Sequence, residues 1–417
     1  MGTERKRPKI FSIFQNRTAC WPVSSDRSHD GRGPIQHRER DMGAPRHHYA
    51  ALDGVRGFAA LSVMIFHLGH WLDVPGLAVN SGLAVDLFFC LSGYVLSLSY
   101  GTRMMGQGSL SMGQFLFRRL VRLMPVIVVA TVIGAAYVLS RGHLNGEVAS
   151  YGVFLTAVLL SLLDIPYLSA PRVIGGPQVF PLNGPQYSLF LELFINLFWW
   201  ATRRLDQRYL SLAIIVICLP LVGIYGLGGD VPATFLSGFP RVGASFFIGV
   251  ALYRFAPSIP AVMTGRITFV ASLSVMALLF FWPYAVSRGV ELAWIAVFSP
   301  LLVISGARVR LSSGLSRISL LGGELSYPLY ALHYPVFCWV NGLFQATMHA
   351  RMAQIEAPLV LVMAIAISFG VLKGIDEPLR QVISSRYPGK IAAVRAPAPV
   401  VYPVGETSIA ISARQER

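Results

Sequence analysis

Ten stretches of this 417-residue chain are apolar for long enough, or nearly long enough, to cross a bilayer, and that repetition constrains the fold more than any single motif. They lie near 55–72, 83–100, 123–140, 187–202, 209–227, 239–256, 266–284, 290–306, 325–345 and 357–375. A spanning helix needs about 20 mostly apolar residues, because inside hydrocarbon every backbone N–H and C=O must be satisfied within the segment. The expected fold is therefore all-α, a polytopic transmembrane helical bundle of about ten spanning helices. Composition agrees. With 54% hydrophobic and 13% charged residues and a mean hydropathy of +0.57, the chain is too apolar for a soluble domain of this size.

A further apolar run, 151–163, has the length of a re-entrant or interfacial segment. Left uncounted, it puts every strongly basic segment on one side: the tail before Arg56, the run from Arg103 to Arg122, Arg203 with Arg204 and Arg208, Arg254 with Arg266, Arg308 with Arg310 and Arg317, and the C-terminal tail. The positive-inside rule makes that side, and both termini, cytoplasmic. Orientation thus accounts for the net charge of +15, and no basic patch is interleaved with stacking aromatics as nucleic-acid binding would require. Residues 1–48 are polar and basic with no secretory hydrophobic core, and 388–417 are polar and Pro-rich, so both read as disordered cytoplasmic tails around a membrane domain at 49–387. Met42 is an alternative start. Cys20, Cys90, Cys218 and Cys338 are too scattered for a zinc site or a disulfide framework. The Pro- and Gly-rich loop from Pro166 to Gln186 falls on the outer side, where it could shape a binding site.

Within the first span, Arg56 and His67 stand eleven residues apart, which on a helix is about three turns and roughly 16 Å along one face. Ionisable groups in a membrane segment are costly and default to a functional reading. Arg118, Arg119 and Arg122 open the third span; Arg119 and Arg122 are one turn apart, so two guanidinium forks can converge on one anion, although such a cluster also anchors topology. Four guanidiniums near one mouth suit a polyphosphate such as coenzyme A. His67 can be a packing residue, a general base for a hydroxyl or, with His70 and Asp73, part of a metal site, of which the base fits best. Asp86 in the second span is structural or catalytic. Glu192 in the fifth needs a cation or serves an acceptor site. Tyr327, Tyr330 and His333 recur on one face of the ninth; an aromatic belt explains the tyrosines but not the histidine. Asp376, Glu377 and Arg380 follow the last span as a solvated helix end.

The segments LDGVRGFAALSVMIFH, VDLFFCLSGYVLS, FRRLVRLMP, NGPQYSLFLELFIN, LSYPLYALHYPV and IDEPLR, in this order from about residue 50 to 385, resemble the acyltransferase 3 family of bacterial membrane acyltransferases. The resemblance implies a ten-helix bundle of the bacterial inner membrane that takes an acyl group, usually acetyl, from cytoplasmic acyl-CoA. The acceptor is then a hydroxyl of a surface glycan, lipid-linked sugar or similar molecule. It casts His67 as the catalytic histidine with Arg56 its paired arginine, Arg119 and Arg122 as the donor-binding R-x-x-R element, and Glu192 as the acidic residue of a W-S-L-x-x-E motif in which this chain has Tyr187 for the tryptophan. Acyl-CoA is a substrate here, with no permanently bound cofactor or metal expected. Glu192 is expected to orient the acceptor or the imidazole, and Arg56 or a helix dipole to offset developing negative charge. No hydrolase-like domain follows the last span, which implies a stand-alone form. A proton-coupled exporter using the same intramembrane His, Glu and Arg remains the alternative, weakened by the lack of an internal repeat.

Overall fold

The computed structural model describes residues 49–101, 110–348 and 352–387; the two tails and Met42 lie outside them. Helices α1 (Ala50–Trp71), α2 (Ala84–Tyr100), α3 (Met112–Asn145) and α4 (Tyr151–Leu162) come first. After a long loop come α5 (Gln186–Ala201), α6 (Gln207–Tyr225), the one-turn α7 (Pro232–Phe235) and α8 (Gly238–Phe255). Next are α9 (Arg266–Phe280), α10 (Arg288–Ala293), which runs through a π-helical turn into α11 (Ser299–Gly306), and α12 (Ser313–Met348). Last is α13 (Ala353–Val371), joined by a second π-helical turn to α14 (Glu377–Arg386). No strand occurs among the described residues.

Each of the ten apolar stretches falls on helix. Seven segments, Ala50–Trp71, Ser81–Tyr100, Met112–Asn145, Gln207–Tyr225, Pro232–Ser258, Arg288–Gly306 and Ala353–Arg386, are long and apolar enough to cross a bilayer, so this is a multi-pass helical membrane protein. The other three stretches differ for identifiable reasons. Helices α5 and α9 have only 16 and 15 residues, and α12, with 36, is diluted by Ser, Gly, Pro and Tyr. The run at 151–163 forms the 12-residue α4.

Helix boundaries follow local chemistry. A capping box starts α3, where the Ser111 hydroxyl accepts from the Gln114 N–H and the Gln114 side chain accepts from the Ser111 N–H. The helix ends at Gly146, whose φ of 71° is the left-handed conformation that glycine reaches without strain. Two groups of helices build the interior: α12 packs along α1, α3 and α13, and α8 packs along α2 and α6. Small residues permit both. A Cβ on Gly93 would stand 2.0 Å from the Phe246 carbonyl oxygen and one on Gly249 2.0 Å from that of Cys90, so α2 and α8 touch backbone to backbone. Gly57 does the same for α1, lying against Gly322 of α12.

Two prolines in α12 leave main-chain acceptors without their helical donors. Pro335 has no N–H for the Ala331 carbonyl, and the fully buried Asn183 donates to that oxygen instead, at 3.0 Å. The loop between α4 and α5 is thereby pinned to α12 two residues before His333. At its start the loop is also anchored by Asp164, at φ 54°, which accepts from the Gln186 amide at 3.1 Å. Burial pushes the Asp164 carboxyl up to about 7, against the lowering effect of that hydrogen bond.

Candidate active site

Two cavities are built at opposite ends of α1. The first, of about 120 Å³, is lined by Arg56, Arg119, Arg122, Glu192, Ser92 and Tyr330, among others. Arg56 donates to the Gly323 carbonyl at 2.6 Å, reachable because Gly57 lets α12 approach, and its guanidinium is 3.3 Å from Asp53. Arg119 is buried, with its guanidinium 5.7 Å from the ring centres of both Tyr100 and Phe115. Arg122 is exposed, and its carbonyl accepts from Arg380, which is paired with Asp376 at 2.6 Å. Three guanidiniums thus face one small space, Arg119 and Arg122 from a single helix face. Arg118 is not part of the lining.

The second cavity, of about 460 Å³, contains His67, Trp71, Gln178, Tyr187, Asp230, Arg241 and Tyr334 in its wall. His67 lies with Nδ1 3.1 Å from Nε2 of His333, and its ring stacks on Trp71 at 4.9 Å between centroids. Gln178, Gly184 and Pro185 of the loop between α4 and α5 line this cavity. Tyr334 donates to the Gln178 amide oxygen at 3.0 Å. Burial pushes the Asp230 carboxyl up from its ordinary range, partly offset by a hydrogen bond from Gln178. Val85 and Tyr330 belong to both walls, and the Tyr330 hydroxyl is held 2.7 Å from Ser188 Oγ.

The structure redistributes the sequence candidates. Arg56 and His67 share α1 and line different cavities, in keeping with the three turns between them. Glu192 sits in the arginine cavity, accepting from Ser92 at 2.8 Å, and does not line the histidine cavity. The rotation of α5 about its axis, set by packing against α2, α3 and α8, decides this. Asp86 is sealed in an ion pair with Arg241, through bonds of 3.0 and 2.7 Å, and also accepts from Ser245. His333 stands beside His67, and Tyr330 between the cavities. Among the described residues, no group of three or more His, Cys, Asp or Glu is placed to hold a metal.

Arg241 is the residue that sequence reasoning overlooked. It is a charge inside the apolar run 239–256, and the criterion that singled out Arg56 applies to it equally. Asn183, Gln178 and Asp230 carried no local signal, being ordinary polar residues in loops.

A helical membrane bundle with clustered guanidiniums at one end of a helix and an imidazole pair at the other defines a multi-pass protein with an internal polar site suited to group transfer. Residues 49–373 match the family model described as an acyltransferase domain, and the chain belongs to this acyltransferase 3 family. It is 33% identical over 187 residues to "Protein 2 in picA locus" of Rhizobium radiobacter, an alignment covering 42% of this chain and 95% of that protein. It is 24% identical over 335 residues to the peptidoglycan O-acetyltransferase OatA of Listeria monocytogenes, covering 72% of this chain. That match spans 51%, about half, of the Listeria protein's length. No solved structure matches.

Proposed function

We propose that this acyltransferase moves an acyl group, ordinarily acetyl, from cytoplasmic acyl-CoA to a hydroxyl of a surface polysaccharide, lipid-linked sugar or similar acceptor. The observation that carries the reading is the meeting of an arginine cavity and a histidine cavity at Val85 and Tyr330. Arg56, Arg119 and Arg122 suit the phosphates of coenzyme A, because guanidinium forks bind phosphate oxygens bidentately. The histidine cavity has aromatic side chains, Trp71 and Tyr334, and polar groups, Gln178 and Asp230, in its wall, a mixture that suits a polyhydroxylated ring. The O-acetyltransferase name of the Listeria relative supports a glycan-type acceptor.

In this mechanism His67 takes the proton of the acceptor hydroxyl as its oxygen attacks the thioester carbonyl. The carbon–sulfur bond then breaks, and the departing sulfur receives the proton from His67, leaving an ester and free coenzyme A. The positive-inside pattern supports ten crossings in a bacterial inner membrane with both termini cytoplasmic. Membrane vesicles holding the full chain and supplied with radiolabelled acetyl-CoA on the cytoplasmic face test the reading. Label is expected in the glycan or glycolipid fraction and absent from it with His67→Ala. Equal labelling in that variant, expressed at a normal level, would remove His67 from the chemistry.

A further inference from the structure

We propose that His333 is a positioning residue that fixes the tautomer of His67, so that the Nε2 lone pair of His67 faces the larger cavity; this deepens the reading of His67 as the general base and rests on it. The argument is one of proton accounting. His333 Nδ1 lies 3.1 Å from the Leu329 carbonyl oxygen, one turn back on α12. An amide oxygen only accepts, so Nδ1 of His333 carries a proton.

The other nitrogen of a neutral His333 ring is then a lone pair. It stands 3.1 Å from His67 Nδ1, and two lone pairs do not hold each other at that distance. His67 Nδ1 therefore carries a proton and donates it to His333 Nε2. What remains is His67 Nε2, unprotonated. It has no partner among the described residues, is not one of the sealed unpartnered polar atoms, and belongs to a residue in the wall of the 460 Å³ cavity.

A neutral His333 is the economical state. The ring is 1% exposed, and its neighbours are the Leu329 carbonyl, His67, Trp71 and Tyr330, none of which is a carboxylate able to compensate a charge. Stacking adds orientation to protonation. Trp71 lies 4.9 Å from the His67 ring at 18° and 5.9 Å from the His333 ring at 19°, so neither imidazole turns freely about its side-chain bond. The logic is that of a catalytic triad, in which the third residue holds the base in its correct tautomer, with an imidazole on a backbone carbonyl in the place of a carboxylate.

The test uses the full chain in lipid nanodiscs with 15N-labelled histidine, read by long-range 15N–1H correlation, with His67 assigned from the His67→Ala spectrum. In the wild type, His67 is expected protonated at Nδ1 and bare at Nε2. His333→Gln places an amide oxygen near the position of Nε2 and should keep that tautomer; His333→Leu, which offers no acceptor, should lose it. Release of free coenzyme A thiol from acetyl-CoA is measured on the same samples. The Gln variant is expected to stay within about tenfold of wild type in kcat, and the Leu variant to fall about 10²-fold with KM for acetyl-CoA unchanged. A wild-type His67 carrying its proton on Nε2 overturns the proposal, as does a Gln variant no faster than the Leu variant. If the tautomers are as expected but His67→Ala turns over acetyl-CoA like wild type, the positioning stands and the general-base reading fails.

Discussion

Arg241 of α8 grips both carboxylate oxygens of Asp86 in α2, through Nε at 3.0 Å and Nη2 at 2.7 Å, while Nη2 also donates to the Gly82 carbonyl and Nη1 reaches the Tyr187 hydroxyl. One buried guanidinium thus ties the start of α2, the body of α8 and the first turn of α5 together at the wall of the larger cavity. Removing one partner strands a charge that has no water to solvate it. Arg241→Met or Asp86→Leu alone is expected to destabilise by about 3–5 kcal/mol, and the double variant by clearly less, because a hydrophobic pair leaves no buried charge behind. Thermal unfolding of the four proteins in one detergent measures both the cost and the coupling.

Donor binding and chemistry should separate by cavity. Replacing Arg119 and Arg122 with Gln is expected to weaken acyl-CoA binding by about 1.5–3 kcal/mol for each charged hydrogen bond lost. His67→Ala should leave donor affinity nearly untouched. Lys at either arginine should rescue only in part, since an ammonium keeps the charge but loses the planar fork. Calorimetric titration with acetyl-CoA checks this; unchanged affinity in the double Gln variant would reduce the arginines to topology anchors.

Tyr330, with Val85, is common to the walls of both cavities. Cutting it back to Ala joins them and gives water a route between donor and acceptor spaces, so hydrolysis of acetyl-CoA without acceptor should rise relative to wild type while transfer to acceptor falls. Tyr330→Phe keeps the ring and loses only the bond to Ser188, and it should behave closer to wild type. Thiol release with and without acceptor reads both.

The loop anchor at Asp164 has a pH signature. Its carboxyl is raised in the folded protein from 3.8 to about 7, so between those values the folded state holds a proton that the unfolded chain has lost. Its contribution to stability is therefore greatest below pH 4 and is lost as the pH rises to 7. The melting temperature of wild type relative to Asp164→Asn should fall across that window and level off above it.

Topology can be read directly. Reporter fusions after Gln207 and after Leu227 are expected to report the cytoplasmic and outer sides respectively, and the reverse would overturn the ten-crossing count.

Much of this molecule was legible in the linear chain because the relevant physics is local. A bilayer demands long apolar runs whose backbone is satisfied within the segment, so the helical membrane class, the short run that became α4 and the presence of Arg56 and His67 on one helix all follow from neighbouring residues. Orientation about a helix axis is not local. Which cavity Glu192 enters depends on how α5 beds against its neighbours, and which residue neutralises Asp86 depends on Gly93 and Gly249 bringing α2 and α8 into backbone contact. His67 and His333 are 266 residues apart in the chain, and no spacing rule links them. Only packing, with α12 laid along α1 at Gly57, places one imidazole where it can decide which nitrogen of the other is bare.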